Sequence, residues 1–144
     1  MHVILGCDHA GLALCAFLEE QLKASHSLEV FKPTQGERVD YPDYAALVVQ
    51  ALLDKPNTRG VLVCGSGIGM SIGANRFKGV RAALCTDAYM AKMARLHNNA
   101  NVLCLGQNVV GFGAALDMVA VFLQTGFEGG RHVGRLEKIE ALQC

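Results

Sequence analysis

The stretch Val61-Leu-Val-Cys-Gly-Ser-Gly-Ile-Gly-Met-Ser71 decides the fold of this chain. The apolar run that ends at Cys64 is typical of a strand covered on both faces of a parallel sheet. The glycines that follow let the backbone turn tightly and bring its N–H groups close to a ligand. A helix after this turn would offer unpaired donors and a partial positive charge to an anion. The stretch therefore predicts a strand, an anion-binding turn and a helix, with a thiol at the lip of the turn.

Strands and helices alternate along the rest of the chain. We predict strands at 2–8, 28–31, 60–64, 79–84 and 101–105, and helices at 11–25, 43–54, 67–75, 87–97, 109–124 and 131–142. Short connections between these elements indicate an α/β fold, a doubly wound three-layer sandwich around a parallel sheet. Residues 1–144 are expected to form one domain. Ligands of such sheets bind at the carboxyl ends of the strands, near the switch point.

For two predicted helices, the sequence does not decide between packing within the subunit and packing on a second subunit. Helix 109–124 is apolar almost all round, which fits burial in a dimer and burial in the core of one subunit about equally well. The C-terminal helix, at about 131–142, has little apolar face of its own. We therefore expect that helix to pack on a second subunit.

Composition narrows the classes of function. Thirteen Lys and Arg residues balance thirteen Asp and Glu residues, so no broad basic field is available for nucleic acid or a membrane surface. No apolar run approaches the roughly 18 residues of a membrane span, and no signal peptide precedes the first strand. The cysteines form no CxxC pair and are predicted to be free thiols at positions 7, 15, 64, 85, 104 and 144. A cytoplasmic protein with a local anion site is expected.

Counting from Cys64 excludes several familiar sites. A Walker A loop needs Lys and then Ser or Thr after its last glycine, and the dinucleotide motif GxGxxG needs glycine at position 70, but Met70 stands there. Met70 also replaces the arginine of a tyrosine-phosphatase loop, and Cys64 replaces the aspartate of receiver domains. An oxyanion cradle remains, in which Ser66 can donate a hydrogen bond and helix N–H groups favour a thiolate. A buried structural cysteine above a tight turn is the alternative.

Polar residues beside the first and last predicted strands are further candidates. Asp8 and His9 follow the first strand and supply an acceptor and a group that titrates near neutrality. A helix N-cap with a solvent-facing histidine explains this pair equally well. His97 and three asparagines stand within five positions, which favours a polar pocket over helix capping alone. The polar loop 33–42 is longer than most connections and is a candidate functional loop.

The C-terminal helix carries a further group of basic residues. Arg131 and Arg135 lie one turn apart with His132 between them, a spacing that can grip a phosphate. Taken alone, these residues are better explained as a solvated basic face. No set of His, Cys and carboxylate residues has convincing metal-ligand spacing.

Six segments carry a family resemblance, in the order GCDHAG, ERVDYPDYA, CGSGIGMSIGAN, GVRAAL, ARLHNNANVLCLG and FEGGRH. Together they resemble the ribose-5-phosphate isomerase B family, which includes the galactose-6-phosphate isomerase subunits of the lactose pathway. The likeness covers almost the whole chain. It implies a Rossmann-like five-stranded domain with an extra C-terminal helix, in a homodimer or dimer of dimers with active sites at the interface. It also implies aldose–ketose isomerisation of a sugar phosphate, without a metal or an organic cofactor.

The resemblance implies roles for matching residues. Cys64 is similar to the base that moves a proton between C1 and C2, and Ser66 stands where many members have Thr. Asp8 and His97 resemble the pair that opens the furanose ring. The implied phosphate-binding set is His9, Arg131 and Arg135, with His132 adjacent. Backbone N–H groups of Gly65, Gly67, Ile68 and Gly69 would hold the enediolate oxygen, and Asn98 and Tyr41 would complete the pocket.

One departure from the family pattern bears on the substrate. Asn108 stands where the family usually has an arginine near the substrate, which puts phosphate binding or substrate choice in doubt. Ribose 5-phosphate and ribulose 5-phosphate are the expected pair. A hexose-6-phosphate isomerase acting on allose or galactose phosphate is the first alternative. A non-catalytic sugar-phosphate-binding module is the second.

Overall fold

The computed structural model describes residues 1–142 and confirms the predicted α/β fold. Its strands are β1 (His2–Cys7), β2 (Ser27–Phe31), β3 (Thr58–Cys64), β4 (Ala82–Leu84) and β5 (Val102–Gly106). Its helices are α1 (Leu12–Leu22), α2 (Tyr41–Leu53), α3 (Ile68–Ala74), α4 (Ala88–Leu96), α5 (Phe112–Gln124) and α6 (Arg131–Glu140), with a 3-10 turn at His9–Gly11. The end of the predicted domain, residues 143–144 with the predicted free thiol of Cys144, lies outside the described residues.

All five strands are parallel and lie in the order β2-β1-β3-β5-β4. Helices α1, α4 and α5 cover one face of the sheet, and α2 and α3 cover the other. This division follows from right-handed crossovers, because the connections that run towards β2 and those that run away from it must cross opposite faces. Strand β3 shows the result, since Val61 and Val63 pack into one core and Leu62 and Cys64 into the other.

The carboxyl ends of β1 and β3 lie side by side, so the residues that follow the two strands are neighbours. Cys7 is in register with Val63, and the N–H of Asp8 donates to the carbonyl oxygen of Val63 at 3.3 Å. Helices α1 and α3, which follow β1 and β3, leave this point on opposite faces, which opens the crevice where such sheets bind ligands. We call this end of the sheet the carboxyl edge.

The other end of the sheet collects the ends of the helices, and we call it the amino edge. Helix α4 runs back against the strands, so His97 at its C-cap lies near the start of β5 rather than the end of β3. The carbonyl oxygen of Asn101 accepts from the N–H of Gly60 at 2.9 Å, which ties this segment to the start of β3. Residues after α4 and residues after β3 therefore lie at opposite edges.

Among the element boundaries that differ from the prediction are those of β4 and α5, each for a local reason. Strand β4 is shorter than predicted 79–84, because Gly79 has φ +82° and the N–H of Val80 donates back to Phe77. Helix α5 begins at Phe112 rather than 109, because the N–H groups of Val109 and Val110 both donate to the Gly106 carbonyl in a turn.

Helices α5 and α6, whose packing the sequence did not decide, both bury side chains against their own subunit. Helix α5 buries Ala115, Met118, Val119 and Phe122 in the core, which favours core burial over a dimer contact for most of its apolar face. Helix α6 buries His132 and Leu136 and leaves Val133 and Ile139 exposed. Over residues 1–142, no helix has the length and apolarity needed to cross a bilayer.

Candidate active site

The glycine turn holds the Cys64 thiol at the end of β3. The thiol is 5% exposed, and Sγ accepts a hydrogen bond from the N–H of Gly67 at 3.1 Å. Gly67 has φ +79°, and a Cβ there would lie 2.6 Å from Leu84, so only glycine fits this turn. Ser66 is exposed beside it and accepts from the N–H of Ile68 at 3.2 Å. An N–H that donates to sulfur stabilises a thiolate, the form in which cysteine acts as a base or nucleophile.

Asp8 is a helical N-cap and also keeps an oxygen that could act on a ligand, so both explanations that the sequence left open fit it. The side chain is 6% exposed, and Oδ1 accepts from the N–H groups of Ala10 at 2.9 Å and Gly11 at 3.1 Å, as an N-cap does. Within residues 1–142, Oδ2 accepts no hydrogen bond. The carboxylate is therefore held rigidly by one oxygen while the other is available to a substrate.

His9 attaches the long polar loop to the carboxyl edge. Its Nδ1 lies 3.1 Å from both the amide nitrogen and the carbonyl oxygen of Val39. The loop is two residues shorter at its end than predicted, because α2 begins at Tyr41 with Pro42 in its first turn. The imidazole is exposed, with Nε2 directed away from this anchor and able to contact an anion.

Tyr41 and Asn108 flank the glycine turn. The Tyr41 ring packs against bare backbone, because a Cβ on Gly69 would lie 2.8 Å from it. The N–H of Asn108 donates to the carbonyl oxygen of Gly65 at 3.0 Å, and its side-chain amide lies 3.5 Å from where a Gly65 Cβ would stand. We define the carboxyl-edge group as Asp8, His9, Tyr41, residues 64–69 and Asn108.

The remaining predicted residues gather at the amino edge, at the end of α4 and the start of α6. The rings of His97 and His132 stack with centroids 4.4 Å apart and planes inclined by 18°. Arg135 Nη1 lies 3.5 Å from His132 Nδ1, and Arg131 is exposed one turn before it. Burial, helped by Arg131 and His97, lowers the pKa of His132 below its ordinary value of 6.5. We define the amino-edge group as His97, Asn98, Arg131, His132 and Arg135.

The asparagines after His97 mostly form hydrogen bonds with the segment that leads into β4. The Asn101 side chain accepts from the N–H of Arg81 at 2.9 Å and donates to the Gly79 carbonyl at 2.9 Å. The carbonyls of Asn98 and Asn99 accept from Arg81 Nε. These bonds secure the strand starts beside His97, so a polar pocket explains only part of the asparagine-rich segment.

The carboxyl-edge group and the amino-edge group lie far apart within one chain. Strand β3 spans seven residues between the two edges, which corresponds to about 20 Å. The structure therefore brings the predicted site residues together as two clusters rather than one.

Comparison with known proteins places the chain in a family. A family model described as Ribose/Galactose Isomerase matches residues 3–139. This chain belongs to that family. The ribose-5-phosphate isomerase B of Escherichia coli is 40% identical over 142 residues, which span 98% of this chain and 95% of the relative. A D-erythrulose-4-phosphate isomerase of Pectobacterium atrosepticum is 39% identical over 96% of this chain and 93% of its own length.

Solved structures of family members have the same fold. The ribose 5-phosphate isomerase of Thermotoga maritima superposes with a TM-score of 0.94 at 43% identity, over 98% of both chains. The type B ribose 5-phosphate isomerase of Trypanosoma cruzi gives a TM-score of 0.92 at 44% identity, over 99% of this chain and 97% of that one. The predicted resemblance to this isomerase family is confirmed.

One residue of the amino edge escaped prediction from the sequence. Glu128 lies in the FEGGRH segment, and no pattern in the sequence predicts its contacts. Ligand atoms of His97, Glu128 and His132 lie within 4.8 Å of one another, near enough to hold a metal ion by distance alone. Arg131 and Arg135 flank the same atoms, and their charges oppose a further cation there. The family motif around Glu128 was the one available signal for this cluster.

Proposed function

We propose that the protein interconverts ribose 5-phosphate and ribulose 5-phosphate through an enediolate, with Cys64 as the base. Membership of the isomerase family supports the reaction class. The substrate is that named for the Escherichia coli and Thermotoga maritima relatives. The feature that supports this chemistry most directly is the Cys64 sulfur, which lies at the crevice between β1 and β3 with a backbone N–H donated to it.

The carboxyl-edge group suits the proton transfer. In the aldose-to-ketose direction the Cys64 thiolate takes the proton from C2 and returns it to C1, while the hydroxyl proton moves from O2 to O1. The intermediate carries negative charge on oxygen, and fixed N–H donors of the glycine turn at 65–69 would stabilise that charge. Ser66, exposed at the same turn, can donate a hydrogen bond to the reacting oxygens. Tyr41 over Gly69 would form a wall of the pocket.

Ribose 5-phosphate is mainly a closed furanose, so the ring must open before C2 can lose its proton. Ring opening needs one group that removes the proton of the anomeric hydroxyl and one that protonates the ring oxygen. We assign these steps to Asp8 and His97. Asp8 has a free oxygen in a rigid carboxylate, and His97 is a partly exposed imidazole.

The phosphate of the substrate is assigned to Arg131 and Arg135, with His132 and Asn98 nearby, and to His9 of the carboxyl edge. Helix α6 begins at Arg131 with no acidic residue in its first turn. Cations at a helix N-terminus are unfavourable, because that end already carries partial positive charge. A bound phosphate would relieve this repulsion and accept bidentate hydrogen bonds from the guanidiniums.

These assignments require two copies of the chain. A sugar phosphate is far shorter than the roughly 20 Å that separates Cys64 from the amino-edge group in one chain. We therefore propose a homodimer in which the carboxyl edge of one subunit faces the amino edge of the other. Exposed apolar side chains beside the glycine turn are available for such a contact, namely Tyr41, Leu47, Ile68 and Ile72. A symmetric dimer would hold two such sites.

Turnover of purified protein on ribose 5-phosphate tests the reaction. We expect the wild type to form ribulose 5-phosphate and Cys64→Ala to lose about 10²- to 10⁴-fold in kcat, the range for a general base. The variant should still bind substrate, because Cys64 is not assigned to phosphate binding. Circular dichroism confirms that the variant folds. Near-normal turnover by folded Cys64→Ala would overturn the assignment of the base.

The preferred sugar is decided by a substrate panel. Asn108 puts a neutral amide beside Gly65, where the family usually has a cation, and this keeps allose and galactose 6-phosphates as the second candidate pair. Higher kcat/KM on a hexose phosphate than on ribose 5-phosphate would favour that candidate. Binding of sugar phosphates without any turnover would favour a non-catalytic module.

The cytoplasm is the proposed compartment. The cysteines of the described residues are buried free thiols at positions 7, 15, 64, 85 and 104. A reducing compartment keeps thiols in this form.

A further inference from the structure

We propose that Glu128 is a positioning residue that holds His97, Arg131 and His132 in one arrangement for the proposed ring opening. This inference rests on the proposed function. Glu128 lies in the segment between α5 and α6, and its N–H donates to the Leu96 carbonyl at 3.1 Å. That bond sets its carboxylate beside the last turn of α4, next to His97.

The backbone after Glu128 returns α6 to the same place. Gly129 has φ +71° and Gly130 has φ +56°, a left-handed turn that residues with a Cβ rarely adopt. The N–H of His132 donates to the Gly129 carbonyl at 3.1 Å, which fixes the first turn of α6 against this bend. The start of α6 therefore faces the end of α4 across the Glu128 side chain.

The two oxygens of Glu128 serve different partners. Oε2 lies 3.8 Å from His97 Nε2 and 3.9 Å from His132 Nε2. Oε1 lies 3.4 Å from Arg131 Nη1. One carboxylate is thus the shared neighbour of the proposed ring-opening histidine, its stacking partner and a proposed phosphate ligand.

The donor on Arg135 determines which ring nitrogen of His132 carries the proton. A guanidinium can only donate, so Arg135 donates to His132 Nδ1 and the ring proton lies on Nε2, directed at Glu128. His132 is 3% exposed, and its Nε2 has no hydrogen-bond partner among residues 1–142, with Glu128 Oε2 at 3.9 Å. Because its pKa is lowered, His132 stays neutral and gives His97 an uncharged ring to stack on.

Removing the carboxylate changes the surroundings of the His97 ring. Its Nε2 loses the carboxylate oxygen that lies 3.8 Å away, while Arg131, another partner of that carboxylate, remains. An imidazole held by stacking alone can turn away from the ring oxygen of the substrate. Loss of orientation lowers the rate of the step that the residue performs more than it lowers substrate affinity.

A comparison of two substrates tests this role. Ribose 5-phosphate must open its ring, whereas erythrose 4-phosphate has no free hydroxyl placed to close a furanose ring. Glu128→Gln should lower kcat on ribose 5-phosphate by about 10- to 100-fold. The same variant should leave kcat on erythrose 4-phosphate within about threefold of wild type, since any effect through Arg131 changes KM for both substrates alike. Glu137→Gln, an exposed carboxamide change on α6, is the matched control and should alter neither rate.

An NMR titration of the imidazoles gives a second readout that is independent of turnover. The groups that act on His132 are Arg131, His97 and Arg135, which lower its pKa, and Glu128, which raises it. Glu128→Gln should therefore move the His132 midpoint to lower pH, and Glu137→Gln should not. An unmoved midpoint would contradict the contact.

The outcomes separate this inference from the function on which it rests. A wild type without ribose 5-phosphate isomerase activity would refute the proposed function. An active wild type whose Glu128→Gln variant loses the same factor on both substrates, or none, would refute the positioning role alone. Should the wild type not turn over erythrose 4-phosphate, the titration decides the role of Glu128. Partial recovery of the ribose 5-phosphate rate in Glu128→Asp is the result expected of a carboxylate that positions its neighbours.

Discussion

At the carboxyl edge of the sheet helices α1 to α5 begin, whereas at the amino edge the same helices end and α6 begins. The carboxyl edge has the glycine turn and two aspartates that cap helical turns, since Asp8 accepts from Ala10 and Asp87 accepts from Met90 at 2.8 Å. These features suit a place where N–H groups point outward and negative charge is favoured.

The amino edge has the opposite chemistry. Arg95 is 2% exposed and donates to the carbonyl of Thr125, the C-cap of α5, and to that of Ala100, in the connection between α4 and β5. No carboxylate of the described residues pairs with it. Burial, with Arg59 and Arg81 nearby, lowers its pKa to about 10. Partial negative charge at the helix ends stabilises such a cation.

One fold thus supplies two kinds of chemical group at its two edges. Fixed N–H donors and a thiol are available at one edge, where an oxyanion would form. Guanidiniums and imidazoles are available at the other edge, where a phosphate would bind. On the proposed mechanism neither edge is sufficient, and catalysis needs both on one substrate.

Replacing His97 should have the largest effect at the amino edge. His97→Asn removes the group that protonates the ring oxygen, so kcat on ribose 5-phosphate should fall by about 10²-fold or more. Erythrose 4-phosphate, which has no ring to open, should be affected far less. Equal losses on the two substrates, measured as kcat/KM in steady-state assays, would mean that the amino edge serves the proton transfer at C1 and C2 as well.

A smaller loss is expected when the phosphate contact is removed. Arg135→Ala should raise KM for ribose 5-phosphate by about 10- to 100-fold with kcat changed much less, the effect of losing a charge-assisted hydrogen bond. Lys138→Ala on the same helix is the control, and its KM should match wild type. A kcat loss at unchanged KM would place Arg135 at the reacting carbons and remove the phosphate from this edge.

The smallest effect concerns stability and pH at the amino edge. The folded state lowers the pKa of His132, so as pH falls below about 6.5 the unfolded chain takes up a proton that the folded chain resists. The free energy of unfolding should therefore decrease from pH 7 to pH 5, and decrease less in His132→Gln. Denaturant unfolding at several pH values measures both slopes. An equal or steeper fall in the variant would show that His132 is charged in the fold.

The carboxyl edge was the more predictable of the two edges. Cys64 and its glycines follow one another along the chain, so their spacing alone predicts the turn and its donors. Asp8 and Cys64 follow strands of one parallel sheet, so topology brings them together.

The amino edge could not be assembled in the same way. His97, Glu128 and His132 come from two separate segments, and no sequence spacing encodes the contact between them. The position of Glu128 depends on the backbone bend at Gly129 and Gly130 and on the Leu96 carbonyl. In the predicted alternation, strands and helices run in opposite directions, so a residue that follows a helix lies at the other edge of the sheet from one that follows a strand. This argues against Cys64 and His97 sharing a site within one chain.

Mixing two inactive variants tests most directly whether the two edges act across subunits. Cys64→Ala and His97→Asn are unfolded together, refolded together and assayed on ribose 5-phosphate. A symmetric dimer with shared sites predicts one intact site in each mixed dimer, and random assortment predicts recovery of about a quarter of wild-type activity. Each variant refolded alone should stay inactive. Activity of the mixture no greater than the average of the two variants would contradict a site built from the carboxyl edge of one subunit and the amino edge of another.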